Sequence, residues 1–135
     1  MVYLASPIGS TKSTEIWQES QEKMDRNEII CQELKKLGFD VYLPQSHQGR
    51  PGSVILAEQL NIIDSCDFLI LVLSDTRGIY IEAGYAKARG KKIYALRVGE
   101  TRQWSDWLVA FCDYIAQDLQ DLTSFLKKEK FLLTK

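Results

Sequence analysis

FLILVL, residues 68–73, is apolar at every position. A strand with one face in water alternates apolar and polar residues. An unbroken apolar run of this length reads instead as a strand covered on both faces, as in the centre of a parallel sheet. On either side of it the segments alternate in kind. VYLA at 2–5, VYL at 41–43 and IYAL at 93–96 are further apolar strands, the second stopped by Pro44. Helices lie between them. The first spans 14–37, with Trp17, Met24 and Cys31 on one face beside Ile30, Leu34 and Leu37, and it closes on Lys35, Lys36 and Gly38. A helix over 53–65 precedes the central strand and one over 80–89 follows it. ARGKK at 88–92 then repeats the closing device of cation, glycine and strand. WSDWLVAF (104–111) reads as a short helix, CDYIA (112–116) as an edge strand and DLTSFLKK (121–128) as a closing amphipathic helix.

Strands alternating with helices through short loops imply a parallel sheet with helices on both faces. The expectation is an α/β flavodoxin-like or Rossmann-like domain, with five strands in the order 2-1-3-4-5. A chain of 135 residues is the size of one domain, so residues 1–135 are read as a single unit. Apolar residues make up 45%, charged residues 26%, and the formal net charge is −1. That balance suits a soluble globular protein and argues against a basic platform for a nucleic-acid polymer or an acidic tail. Cys31, Cys66 and Cys112 have no metal-ligand spacing and read as buried thiols in a reducing compartment. There is no leader pattern and no apolar run long enough for a bilayer, so a cytoplasmic protein without a membrane partner is expected.

Sheets of this kind bind ligands beyond the carboxyl ends of their strands, at the switch point between strands 1 and 3. Loops 6–13, 44–52 and 74–81 meet there. Glu82 stands where the last of these enters its helix, among Ile79, Tyr80, Ile81, Ala83 and Gly84. Two readings are open. It complements the positive end of a helix dipole, or it is a carboxylate kept ionised in a partly dry pocket, as a nucleophile requires. The helix end would favour the charged form and burial would oppose it. Gly78 and Gly84 allow close backbone approach. The hydroxyl-rich loop SPIGSTKS (6–13) is either an ordinary helix cap or a phosphate site built on Gly9, Ser10 and Lys12. It is no Walker A loop, because Thr11 stands where a glycine should precede Lys12. His47 reads as an exposed loop residue, and Trp104 and Trp107 as cover for a sheet edge or a subunit interface.

Three segments carry a family resemblance: VYLASPI (2–8), LNIIDSCDFLILVL (60–73) and GIYIEAGYAKARGKKIYAL (78–96). In this order and spacing the chain resembles the nucleoside 2-deoxyribosyltransferase family and its relatives, the 2′-deoxynucleoside 5′-monophosphate N-glycosidases. The last segment is similar to that family's G-T-A-x-E-x-G-Y-A-x-A-x-G-K-P motif. The resemblance implies that Glu82 attacks the anomeric carbon of the sugar and that Tyr3 orients it. Read without the resemblance, Tyr3 is a core aromatic. A family aspartate that handles the base falls on Thr76, with Asp75 one residue earlier as the substitute. A second family aspartate falls on Gln59. Ser6, Ile8, Gly9, Ser10, Lys12 and Gly78 are the implied substrate contacts, no metal or other cofactor is implied, and a homo-oligomer is. The expected activity is cleavage of the N-glycosidic bond of a (deoxy)nucleoside or its 5′-monophosphate. Base exchange between deoxynucleosides, and a nucleotide-binding module without turnover, are the alternatives.

Overall fold

The computed structural model describes residues 1–6, 14–44, 52–73, 77–98 and 106–133, and of 14–20, 52–55, 77 and 131–133 it describes the backbone alone. Five parallel strands form one sheet in the order β2-β1-β3-β4-β5, as the sequence implied. They are β1 (Val2–Ala5), β2 (Val41–Tyr42), β3 (Phe68–Val72), β4 (Lys92–Leu96) and β5 (Tyr114–Ala116). Helices α1 (Thr14–Lys36), α2 (Gly52–Ser65), α3 (Arg77–Ala88), α4 (Asp106–Phe111) and α5 (Leu119–Leu133) join or follow them.

The pleat of the sheet divides the core in two, because successive side chains of a strand point to opposite faces. Tyr3, Leu69, Leu71, Ile93 and Ala95 pack against Ile63 of α2, Ile79, Ala83 and Ala86 of α3, and Leu108 of α4. Val2, Leu4, Ile70, Val72 and Leu96 pack the other way, against Ile30, Cys31 and Leu34 of α1 and Leu122 and Leu126 of α5. Leu69, Ile70, Leu71 and Val72 are all fully buried, which is what an unbroken apolar strand requires.

Both glycine stops form as expected. Gly38 (φ 93°) and Gly90 (φ 74°) take the left-handed conformation. After each, an N–H reaches back a full turn: Phe39 N to Leu34 O at 3.3 Å, and Lys91 N to Ala86 O at 2.9 Å. Most boundaries shift from the sequence reading by one to a few residues, β5 to 114–116 and α5 to 119–133 among them, and two of the shifts have a clear cause. β2 ends at Tyr42 rather than 43, since Pro44 restricts the backbone of Leu43. α3 begins at Arg77 rather than at 80. Gly78 and Ile79 read as loop residues, yet Gly78 sits in a first turn whose N–H groups have no intrahelical acceptor, where glycine costs little. Among the described residues no helix is long and apolar enough to cross a membrane.

Candidate active site

The earlier start of α3 changes the setting of Glu82. It lies beyond the first turn, which holds no acid, so complementing the helix end is not its role. Its register is instead set by apolar neighbours. Ile79, Ala83 and Ala86 recur at helical spacing and bury themselves against the sheet, which turns Glu82 toward Tyr3.

Tyr3 is fully buried in the middle of β1. It pairs in register with Tyr42 of β2 and Leu69 of β3, and its ring stacks on that of Tyr42, with centroids 5.4 Å apart and planes 24° apart. The Tyr3 hydroxyl and Glu82 Oε2 are both out of reach of water, and neither has a hydrogen-bond partner of normal geometry among the described residues. They are nonetheless close enough to alter each other's proton affinity. Burial pushes the phenol far above its usual range, and the neighbouring carboxylate pushes it further. Burial also pushes the Glu82 carboxyl up, to about 7, against a smaller opposing pull from the Tyr3 hydroxyl. Burial thus opposes the ionised form that the sequence reading looked for, and near neutral pH both forms are populated.

A buried polar atom without a partner costs on the order of 1–3 kcal/mol. Two such atoms side by side in the core are what a site built to meet a ligand would hold. The other carboxylate oxygen has room in front of it. Gly78 is exposed, and a methyl group placed on it would stand 3.8 Å from Glu82 Oε1.

The remaining expected residues divide. Ser6 is buried just past the end of β1, on the strand that carries Tyr3. Gln59 is half-buried on α2, and no hydrogen bond joins it to Glu82 among the described residues. Ile8, Gly9, Ser10, Lys12, Asp75 and Thr76 lie outside the described residues, as do His47 and Trp104. Trp107 stands exposed on α4.

One group of site-building residues was missed. Asp64 at the end of α2 accepts a hydrogen bond from the Tyr85 hydroxyl at 2.8 Å and another from Arg89 Nε at 2.7 Å. The Tyr85 bond, with help from Arg89, holds the Asp64 carboxyl below its usual range although burial opposes it. This clamp fixes α3 against α2 in the stretch that carries Glu82. Its signal was present: Tyr85 and Arg89 are four residues apart on one helix face, in the quoted segment.

No curated protein sequence matches the chain. Among solved structures, the 2-deoxyribosyltransferase of the psychrotolerant bacterium Bacillus psychrosaccharolyticus is similar, with a TM-score of 0.72 over 90% of this chain and 89% of that one, at 19% identity. The CMP N-glycosidase BcmB of Clostridium botulinum is similar with a TM-score of 0.62 over 93% of this chain and 97% of that one, at 21% identity. These likenesses support the fold. Residues 2–105 match the Nucleoside 2-deoxyribosyltransferase family, a span that includes both Tyr3 and Glu82. The chain therefore belongs to the nucleoside 2-deoxyribosyltransferase family of enzymes.

Proposed function

We propose that the chain cleaves the N-glycosidic bond of a (deoxy)nucleoside or its 5′-monophosphate, with Glu82 as nucleophile. The observation that carries this reading is the pair of dry, unpartnered oxygens on Glu82 and Tyr3, in a chain of this family. Ionised Glu82 attacks the anomeric carbon, an ester bond forms, and the bond to the base breaks. The electron pair leaves with the base, which takes a proton. Water then attacks the same carbon and frees the carboxylate. The transition state is oxocarbenium-like, and a close anion stabilises it. The Tyr3 hydroxyl orients that anion, and the hydrogen bond tightens when substrate closes the site. From sequence, Asp75 is assigned to the base and Gly9, Ser10 and Lys12 to a 5′-phosphate. The solved structures include an enzyme of each kind, a deoxyribosyltransferase and a nucleotide N-glycosidase. A homo-oligomer follows from the family resemblance; exposed Trp107 on α4 and Ile81 on α3 offer apolar surface for one.

The test is to incubate the protein with a panel of nucleosides and 5′-monophosphates, with and without an acceptor base, and to follow free base by chromatography. Free base without acceptor is the expected result. New nucleoside appearing only with acceptor would replace hydrolysis by base exchange, and no turnover on any member would overturn the reading.

Tyr3→Phe is expected to lower turnover at neutral pH about ten- to hundredfold, the worth of one hydrogen bond to a charged group. It should also displace the pH profile. In the wild type, kcat/KM should rise with pH through about 7 as Glu82 loses its proton. Without the phenol the carboxyl loses its one downward pull, so the rise should move to higher pH. A Tyr3→Phe profile superimposable on the wild type would mean that Tyr3 is core alone.

Gly78→Ala should separate stability from activity. Glycine costs little in the first turn, so alanine should leave the melting temperature within a few degrees of the wild type or slightly above it. The added methyl stands in ordinary contact with Glu82 Oε1 and crowds the approach to it, so kcat/KM should fall about tenfold or more. Unchanged kinetics would mean that substrate does not approach from that side.

A further inference from the structure

Beneath the opposite face of the sheet lies a second concavity. It is a cleft of about 450 Å³ between α1, the end of β4 and the start of α5. Ile29, Ile30, Leu96, Val98 and Leu119 give it apolar walls, and Arg26 borders it. The Nε and Nη2 atoms of Arg26 are shielded from water and meet no acceptor among the described residues. Of the carboxylates that border the cleft, Glu22, Asp25 and Asp118, the last two each have one oxygen engaged elsewhere. Asp25 Oδ1 accepts from Gln21 Nε2 at 3.0 Å, and Asp118 Oδ1 accepts from the Asp121 N–H at 2.8 Å. Burial lowers the pKa of Arg26, and no carboxylate offsets it.

A guanidinium edge whose two nitrogens have lost their water and found no acceptor is costly to the fold. Beside an apolar cleft of ligand size it is also a ready partner for an anion. Nε and Nη2 form one edge of the guanidinium, and that edge matches the two oxygens of a carboxylate. Arg97 borders the cleft as well, and against Glu22, Asp25 and Asp118 the two guanidiniums leave no surplus of positive charge, which disfavours a doubly charged group more than a singly charged one.

We propose that this cleft binds a small monocarboxylate with an apolar body, its carboxylate held by Arg26 and its body against Ile29, Leu96, Val98 and Leu119. The site is separate from Glu82, which belongs to the helical layer on the other face.

The test is calorimetric titration of the whole chain with 4-phenylbutanoate, 4-phenylbutanol and phenyl phosphate, with methyl NMR shifts to locate the site. Saturable binding of the carboxylate is expected, with shifts at Val98 and Leu119. The alcohol should bind at least about tenfold more weakly, the worth of one charge-assisted pair. Arg26→Met should bring the carboxylate down to the level of the alcohol. It should also fold at least as well as the wild type, since it removes an uncompensated charge. Arg26→Lys, which keeps the charge but not the paired N–H groups, should bind less well than the wild type. No saturable binding, equal binding of acid and alcohol, full binding by Arg26→Met, or shifts confined to the Ala83 layer would each overturn the proposal. Tighter binding of phenyl phosphate would overturn the monocarboxylate assignment. The comparison of acid with alcohol needs no variant, so it decides even if Arg26→Met does not fold.

Discussion

Glu82→Ala is expected to reduce base release by at least about 10³-fold at every pH, with the fold intact. Removing the proposed nucleophile would take away the covalent route itself, and deletions of this kind have very large effects in active sites. The loss is compounded here. Without the carboxylate, the anion proposed to face the developing oxocarbenium ion is gone, and the Tyr3 hydroxyl loses the group it is proposed to orient. The measurement is chromatographic release from the best substrate of the panel, with a thermal melt to confirm folding. Acid-quenched wild-type enzyme should carry the sugar as an ester on the peptide that contains Glu82, and the variant should carry none. Turnover within tenfold of wild type would sink the assignment of Glu82.

Glu82→Gln should stabilise the protein, and by an amount that depends on pH. The carboxyl has an ordinary value of 4.5 and is raised to about 7 in the folded state by burial. The sign follows from the proton count. Between those two values the folded chain keeps a proton that the unfolded chain has lost. Stability contributed by the neutral acid is therefore complete below about pH 4.5 and is lost as pH rises through about 7. The separation corresponds to roughly 3 kcal/mol, as an order of magnitude. Glutamine carries no charge to desolvate and escapes that loss. At pH 8 the variant should melt on the order of 10 °C above the wild type. At pH 4 the two should nearly coincide. An advantage of the same size at both pH values would mean that desolvation of this carboxylate does not cause it.

Much of this was legible in the sequence because the deciding signals are local. FLILVL can be a strand covered on both faces and little else, and the two glycine stops fix where α1 and α3 end. The strand order and the family follow from those segments and from GIYIEAGYAKARGKKIYAL, and both stand. What was misread lies where local and tertiary effects compete. The first turn of α3 contains Gly78, a poor helix former, so its start was placed too late. That one displacement put Glu82 at a helix end and made it look stabilised in its charged form. Burial by Ile79, Ala83 and the sheet decides otherwise, and burial is a property of the packed fold. The stacking of Tyr3 on Tyr42 and the Asp64 clamp are long-range pairings. Each partner was visible, but the register that joins them was not.

The clamp of Asp64, Tyr85 and Arg89 has a consequence for acidification. Its carboxyl is held below the usual range, whereas that of Glu82 lies near 7. Mild acid therefore protonates the proposed nucleophile while the brace beside it on α3 stays charged and bonded. Protonation of Glu82 also favours the folded chain. Between these two titrations the protein should rest in an inactive, well-folded form, and activity should return in full when the acid is neutralised.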